Sequence, residues 1–219
     1  MFPLSAMGWA AFWITLCPLS VEAATSARST VLEPKAFPET LLNEVRKTFT
    51  VGGKRIPPEI FRDFGDGDLA DSGSIWVTVD VHAAVGSNLY ADPIKDDGRW
   101  VTQTKLAEKT INGQEQTSYQ LIGATANNLL VLIATYNGGG SGTFYTLHIL
   151  DVRGQRAFDM DGDVYQRINV TSVRNVALGD RWDGDVKISG NTISVTTMRD
   201  GPADTSGASK TTRIKATRP

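Results

Sequence analysis

The sequence has 219 residues, of which 22 are Lys or Arg, 24 are Asp or Glu and one is cysteine. The formal net charge of −2 and the mixture of both signs along the chain argue against a nucleic-acid-binding surface, so no nucleic-acid partner is expected. A single thiol excludes a disulfide framework and a cysteine-ligated zinc site.

The N-terminal residues 1–23 have the pattern of a secretory signal peptide. The apolar run WAAFWITL at residues 9–16 is too short to cross a bilayer as a helix, and VEA at residues 21–23 suits a small-residue cleavage site. The run has no basic residue before it, which leaves a buried N-terminal helix as the alternative. Cys17 raises the further alternative of a lipoprotein, which the bulky residue before it disfavours. We expect a periplasmic or secreted protein whose mature chain has no membrane span.

The next segment, residues 24–36, is rich in Ser, Thr, Ala and Pro and is predicted to be a flexible leader to a single β-rich domain at residues 37–219. Pro38 suits the first turn of a helix. The apolar stripe of that helix is formed by Leu41, Leu42, Val45 and Phe49.

An Asp- and Gly-rich loop is predicted at residues 63–73. Asp66, Asp68 and Asp71 offer oxygen ligands of the kind that calcium prefers, although their spacing does not match an EF-hand loop. The alternative is that these residues form turns, in which Asp and Gly are common for conformational reasons. A second acidic group around Asp161 is explained by a hairpin turn.

The apolar alternation changes to a period of two at residues 74–82, which predicts a strand. On this strand Asp80 and His82 would lie on the same face as neighbours. An imidazole oriented by a carboxylate is half of a general-base system, so the pair is a catalytic candidate. The alternative is an ordinary polar pair on a solvated face.

The continuous apolar run at residues 129–134 predicts a central strand covered on both faces. Three glycines, a serine and a fourth glycine at residues 138–142 separate it from another predicted strand at residues 143–152. A phosphate-binding loop would need a Lys and the N-terminus of a helix after the last glycine, and neither is present in the sequence pattern. We therefore predict a hinge or bulge, in which glycine permits positive φ and close backbone approach.

Three hairpin turns are predicted at Asp161-Gly162, Asp183-Gly184 and Gly190-Asn191. Many short strands and one N-terminal α-helix predict a mainly β fold, a single antiparallel β-sandwich or a partly open barrel.

A tryptophan lies in one of these turn-rich segments. Asp180, Arg181 and Trp182 form a candidate binding group, because aromatic residues and arginine are enriched at interfaces. The alternative is an indole ring folded back over the hairpin.

Four short motifs resemble a β module of bacterial exported proteins and lipoproteins. They are YNGGGSGTFYTLHIL at residues 136–150, LGDR at 178–181, GNTISV at 190–195 and GPAD at 201–204. The resemblance covers about the last 90 residues, and the cysteines that follow the last motif in many relatives are absent here. It implies an exported β module and brings no established activity.

These patterns lead to one main hypothesis and two alternatives. The main hypothesis is a non-enzymatic exported protein, without a cofactor, that binds a protein or a component of the cell envelope. The first alternative is an envelope hydrolase that uses Asp80 and His82, and the second is a calcium-stabilised structural module.

Overall fold

The chain forms two larger β-sheets, a two-stranded ribbon and three helices in the residues that a computed structural model describes, namely 39–64, 77–86, 90, 92–110, 113–197 and 209–218. All of them belong to one unit, Lys35–Pro219. The predicted signal peptide at residues 1–23 and leader at 24–36 lie outside them. The helices are α1 (Glu39–Thr48), α2 (Ile60–Asp63) and α3 (Val81–Gly86). The strands are β1 (Thr50–Val51), β2 (Lys54–Arg55), β3 (Thr78–Asp80), β4 (Ile94–Asp96), β5 (Val101–Thr110), β6 (Gly113–Ala124), β7 (Leu130–Asn137), β8 (Phe144–Phe158), β9 (Val164–Asp180), β10 (Gly184–Ser189), β11 (Thr192–Thr197) and β12 (Lys210–Lys215).

The larger sheet has seven strands in the order β3-β9-β8-β7-β6-β5-β4, and each neighbouring pair is antiparallel. The smaller sheet has the order β10-β11-β12, and β1 and β2 form a separate ribbon. The prediction of a mainly β, antiparallel sandwich or partly open barrel is confirmed. The predicted N-terminal helix is α1, and the structure adds the short helices α2 and α3.

The helices cover one face of the larger sheet. Leu42 and Val45 of α1 are buried, as expected from the apolar stripe, and Phe61 of α2 is buried beside them. They pack against alternate residues of β7, including Leu130 and Leu132. We refer to this cluster as the helix-side core.

The smaller sheet covers the opposite face of the larger sheet. Val131 and Ile133 of β7 pack there with Ile193 and Val195 of β11 and with Ile214 of β12. Because the side chains of a strand alternate between its two faces, the continuous apolar run of β7 supplies both cores. The prediction that this run is a central strand covered on both faces is confirmed.

Two local predictions are wrong. The strand predicted at residues 74–82 ends at Asp80, because Val81 begins α3. Asp183-Gly184 is not a hairpin turn, because β9 belongs to the larger sheet and β10 to the smaller one. The positive φ of this connection, 49°, falls on Arg181. Gly184 instead lies where a Cβ would overlap the carbonyl oxygen of Thr196 and the ring of Trp182.

The glycine segment at residues 138–142 reverses the chain between β7 and β8, which are directly paired. Gly139 has a φ of 87°, a conformation that side-chain-bearing residues rarely adopt. The hinge predicted for this segment is therefore confirmed. Asp161-Gly162 and Gly190-Asn191 likewise lie in reversals between paired strands.

The hairpin of β8 and β9 extends beyond the rest of its sheet. β7 pairs with β8 as far as Leu150, and β3 pairs with residues 169–171 of β9. In the described part of the chain, residues 154–158 and 164–168 thus pair with each other alone. Near the end of this arm Phe158 and Met160 are exposed, with relative exposures of 64% and 102%.

None of the helices in the described ranges is long and apolar enough to cross a bilayer.

Candidate functional site

A cleft of about 350 Å³ opens on the helix-covered face of the larger sheet, where β7 and β8 approach the glycine hinge. We call it the ring cleft, because aromatic rings form much of its lining. It is lined by Phe61, Arg62, Thr117, Ala134, Thr135, Tyr136, Phe144, Thr146 and His148.

The register of three strands explains how these residues come together. Thr117 on β6 is paired with Tyr136 on β7, and Tyr136 is paired with Phe144 on β8. Thr146 and His148 follow Phe144 at alternate positions of β8, so their side chains emerge on the same face. The short helix α2 adds Phe61 and Arg62 from above the sheet.

His148 is the most deeply buried polar residue of the ring cleft, with a relative exposure of 1%. Its imidazole lies 5.0 Å from the ring of Phe61 and 6.2 Å from that of Phe64, measured between ring centroids. Burial lowers the pKa of His148 from its ordinary value of 6.5 to about 4, and a side-chain hydrogen bond with Asn175 opposes part of that change. The imidazole is therefore neutral near pH 7.

Asn175 is the polar neighbour of the His148 imidazole. Its amide nitrogen donates to the carbonyl oxygen of Phe64 at 2.7 Å, and its side-chain oxygen accepts from Ser172 Oγ at 2.8 Å. Asn175 opposes part of the decrease that burial causes in the pKa of His148. Nδ1 of His148 is buried and has no hydrogen-bond partner.

Two aromatic side chains, which occupy paired positions on the neighbouring strands β7 and β8, form the outer wall of the ring cleft. Tyr136 and Phe144 have relative exposures of 36% and 57%. Such cross-strand aromatic pairs stabilise a sheet, yet here the pair also presents ring surface to solvent. The guanidinium of Arg62 lies 5.5 Å from the centroid of the Tyr136 ring.

Arg62 supplies the positive charge among the described lining residues, and this charge is already paired. Its Nη1 donates to Glu115 Oε1 at 2.5 Å and lies 3.7 Å from Glu59 Oε1. The carboxylate of Glu115 is largely buried, with a side-chain exposure of 11%. Burial raises the pKa of Glu59, and Arg62 acts in the opposite direction. The ring cleft therefore offers little uncompensated charge to a ligand.

The structure gives Asp80 the role of a helix cap. Asp80 Oδ1 accepts hydrogen bonds from the backbone N–H groups of His82 and Ala83, at 3.0 and 3.2 Å. This is the usual arrangement at the N-terminus of a helix, where these donors have no partner within the helix. His82 is exposed on α3 and is not among the residues that line the ring cleft.

Asp180 and Arg181 hold the glycine hinge. Asp180 Oδ1 accepts from the backbone N–H of Thr143 at 2.7 Å, and Arg181 Nη2 donates to the carbonyl oxygen of Ser141 at 2.8 Å. Trp182 is half-buried against the core between the two sheets, and its ring lies 6.0 Å from that of Tyr145. The described contacts of this candidate binding group are thus internal to the fold.

The calcium candidates Asp66, Asp68 and Asp71 lie outside the described residues. Within the described ranges, no three His, Cys, Asp or Glu side chains are grouped closely enough to hold a metal ion. In the other acidic turn, Asp159 Oδ1 accepts from the backbone N–H groups of Asp161 and Asp163, which accounts for the turn.

Comparisons of the chain with protein-family models, with curated proteins and with solved structures found no match.

Proposed function

We propose that this chain is a non-enzymatic binding module that holds an uncharged ligand in the ring cleft. The observation that carries the proposal is the buried Nδ1 of His148, which has no hydrogen-bond partner and belongs to a residue lining an aromatic cleft. A buried polar nitrogen without a partner costs free energy, and a ligand group that forms a hydrogen bond with it would recover that free energy. The volume of about 350 Å³ lies at the lower end of the range for small-molecule sites.

The properties of His148 favour binding over catalysis. A general base works best when its pKa is near the working pH, whereas the pKa of His148 is about 4. The polar neighbour of the imidazole is the amide of Asn175, and an amide stabilises an imidazolium less than a carboxylate does. The imidazole is thus suited to accept a hydrogen bond and poorly suited to take a proton.

The two histidines of the chain provide a direct test. Isotope labelling of the histidine nitrogens gives two imidazoles in the NMR spectrum, with His148 buried and His82 exposed. We expect members of a collection of small uncharged compounds to shift the Nδ1 signal of His148 and to leave His82 unchanged. If no compound shifts the His148 signal, or if both histidines always respond together, the proposal is wrong.

Export is part of the proposal and rests on the pattern of residues 1–23. It would bring the ring cleft into contact with the components of the cell envelope. Protein recovered from its native host should begin at or near Ala24, and recovery of an intact Met1 would count against export.

A further inference from the structure

We infer that the ligand of the ring cleft is a neutral sugar ring, either free or as part of a glycan. This inference rests on the proposed function, since it names the chemical class that the same site would bind. It follows from the charge, the shape and the hydrogen-bonding groups of the ring cleft taken together.

The charge of the site selects against ionic ligands. A carboxylate or phosphate on the ligand would have to compete with Glu115 for Arg62. Glu115 is largely buried, and its Oε1 already accepts a hydrogen bond from Nη1 of Arg62 at 2.5 Å. Separating that pair would leave a buried carboxylate without its partner, which is costly. An ammonium group on the ligand would meet Arg62 itself. A neutral ligand avoids both costs.

The shape of the site calls for a ligand with one apolar face. Phe144 is 57% exposed beside Tyr136, and the guanidinium of Arg62 already lies over the Tyr136 ring. The ring of Phe144 is therefore the more exposed of the two rings at the opening. The C–H face of a pyranose ring is flat, apolar and of similar size, and it would remove this surface from water.

The hydrogen-bonding groups of the site call for a ligand with several hydroxyls around its edge. Thr117 and Thr146 line the ring cleft on the helix-covered face, together with His148, whose Nδ1 has no hydrogen-bond partner. A simple phenol offers one hydroxyl and satisfies one of these groups. A sugar ring offers hydroxyls on several sides, each able both to donate and to accept. The number of polar lining groups thus favours a sugar over a phenol.

The test uses the mature chain with labelled histidine nitrogens and five probes: N-acetylglucosamine, its β-linked disaccharide, glucosamine, glucuronate and p-cresol. We expect the two neutral sugars to shift the His148 signal, and the cationic, anionic and phenolic probes to bind at least about tenfold more weakly. Tighter binding of the disaccharide would indicate a glycan as the source of the ring, and equal binding would indicate a free sugar.

A pair of exposed phenylalanines on the same strand supplies matched variants. Phe144→Ser removes the apolar surface of the ring cleft, whereas Phe158→Ser removes a similarly exposed ring at the other end of β8. We expect the first variant to weaken sugar binding by about tenfold or more and the second to leave it unchanged. Equal effects of the two variants would overturn the inference.

The outcomes also separate this inference from the proposed function. If p-cresol or another uncharged compound shifts the His148 signal and neither neutral sugar does, the sugar assignment is wrong and the binding module stands. If neutral sugars and the wider collection of uncharged compounds all leave the signal unchanged, both proposals are wrong. Binding of glucuronate or glucosamine as tightly as N-acetylglucosamine would overturn the assignment of a neutral ligand.

Discussion

His148 on β8 lies directly opposite Asn175 on β9, and this amide is the polar neighbour of an imidazole that burial keeps neutral. Asn175 is itself held by Phe64 and Ser172, so the carbonyl group next to α2 is tied to the side chain that orients the histidine. The side-chain amide of Asn175 therefore connects the ring cleft with helix α2, which covers the helix-side core.

The first prediction concerns acid stability. The unfolded chain takes up a proton at His148 near pH 6.5, whereas the folded chain resists it until about pH 4. Because the unfolded state binds more protons in this window, the free energy of unfolding should fall as the pH decreases from 6.5 to about 4 and should not depend on this group above the window. A change of roughly 3 kcal/mol is expected from the difference between the two pKa values. Denaturant unfolding at several pH values measures it.

The variants His148→Phe and His82→Gln test the assignment of that change. His148→Phe removes the titrating group and keeps a ring between Phe61 and Phe64, so the fall in stability over this window should be smaller. His82→Gln changes the exposed histidine and should leave the fall as it is. An unchanged pH dependence in His148→Phe would contradict the burial of a neutral imidazole.

The second prediction separates capping from catalysis at Asp80. Asp80→Ala removes the acceptor for the backbone N–H groups of His82 and Ala83 and should lower the free energy of unfolding by about 1 kcal/mol. Asp80→Asn keeps an oxygen acceptor and should retain most of the stability. Thermal unfolding followed by circular dichroism gives the comparison. If Asp80→Ala is as stable as the parent chain, the cap contributes nothing measurable.

The third prediction compares two neighbouring glycines of the hinge. Gly139→Val forces a β-branched residue into a φ of 87° and should lower the free energy of unfolding by about 1–2 kcal/mol. Gly140→Val should have a much smaller effect, because a Cβ at Gly140 would meet nothing within 4 Å. Denaturant midpoints of the two variants provide the measurement, and equal midpoints would show that backbone conformation does not govern this hinge.

The fourth prediction concerns the connection between the two sheets. Gly184→Ala places a methyl group against the carbonyl oxygen of Thr196 and the ring of Trp182, so either β10 or the indole must move. We expect a loss of about 1–3 kcal/mol, typical of overpacking, together with a change in tryptophan fluorescence. Gly86→Ala serves as the control, because its added methyl group would meet open space. Equal stability of the two variants would rule out a close approach at Gly184.

The features that the sequence predicted correctly depend on short-range patterns. The apolar run of β7, the stripe of α1 and the glycine hinge each follow from periodicity or from a residue with special backbone freedom. The alternation of side chains along the strand predicted at residues 143–152 also puts His148 on the same face as Phe144 and Thr146. The alternation could not show that strand pairing would place Asn175 opposite His148, or that Nδ1 of His148 would have no hydrogen-bond partner.

The missed features depend on contacts that hydrophobic periodicity does not show. Phe61 and Arg62 reach the ring cleft from α2, a single helical turn that follows two prolines and carries no clear period of its own. The strand predicted through His82 failed because Asp80 caps a helix, a local bond that the alternation of apolar residues conceals. The break between the sheets at Asp183-Gly184 resembles a hairpin in sequence, and only the different strand partners of β9 and β10 distinguish it.

Because β7 supplies residues to both hydrophobic cores, it affects how the protein unfolds. Leu132 faces the helices and its neighbour Ile133 faces the smaller sheet, and both are almost fully buried. If either the helices or the smaller sheet unfolded alone, one face of β7 would be exposed to water while its other face stayed packed. Such a partly unfolded state would gain little conformational entropy and would lose much apolar burial. Heating should accordingly give a single calorimetric peak, with a calorimetric enthalpy equal to the van't Hoff enthalpy. That result would indicate all-or-none unfolding of both layers that pack on β7.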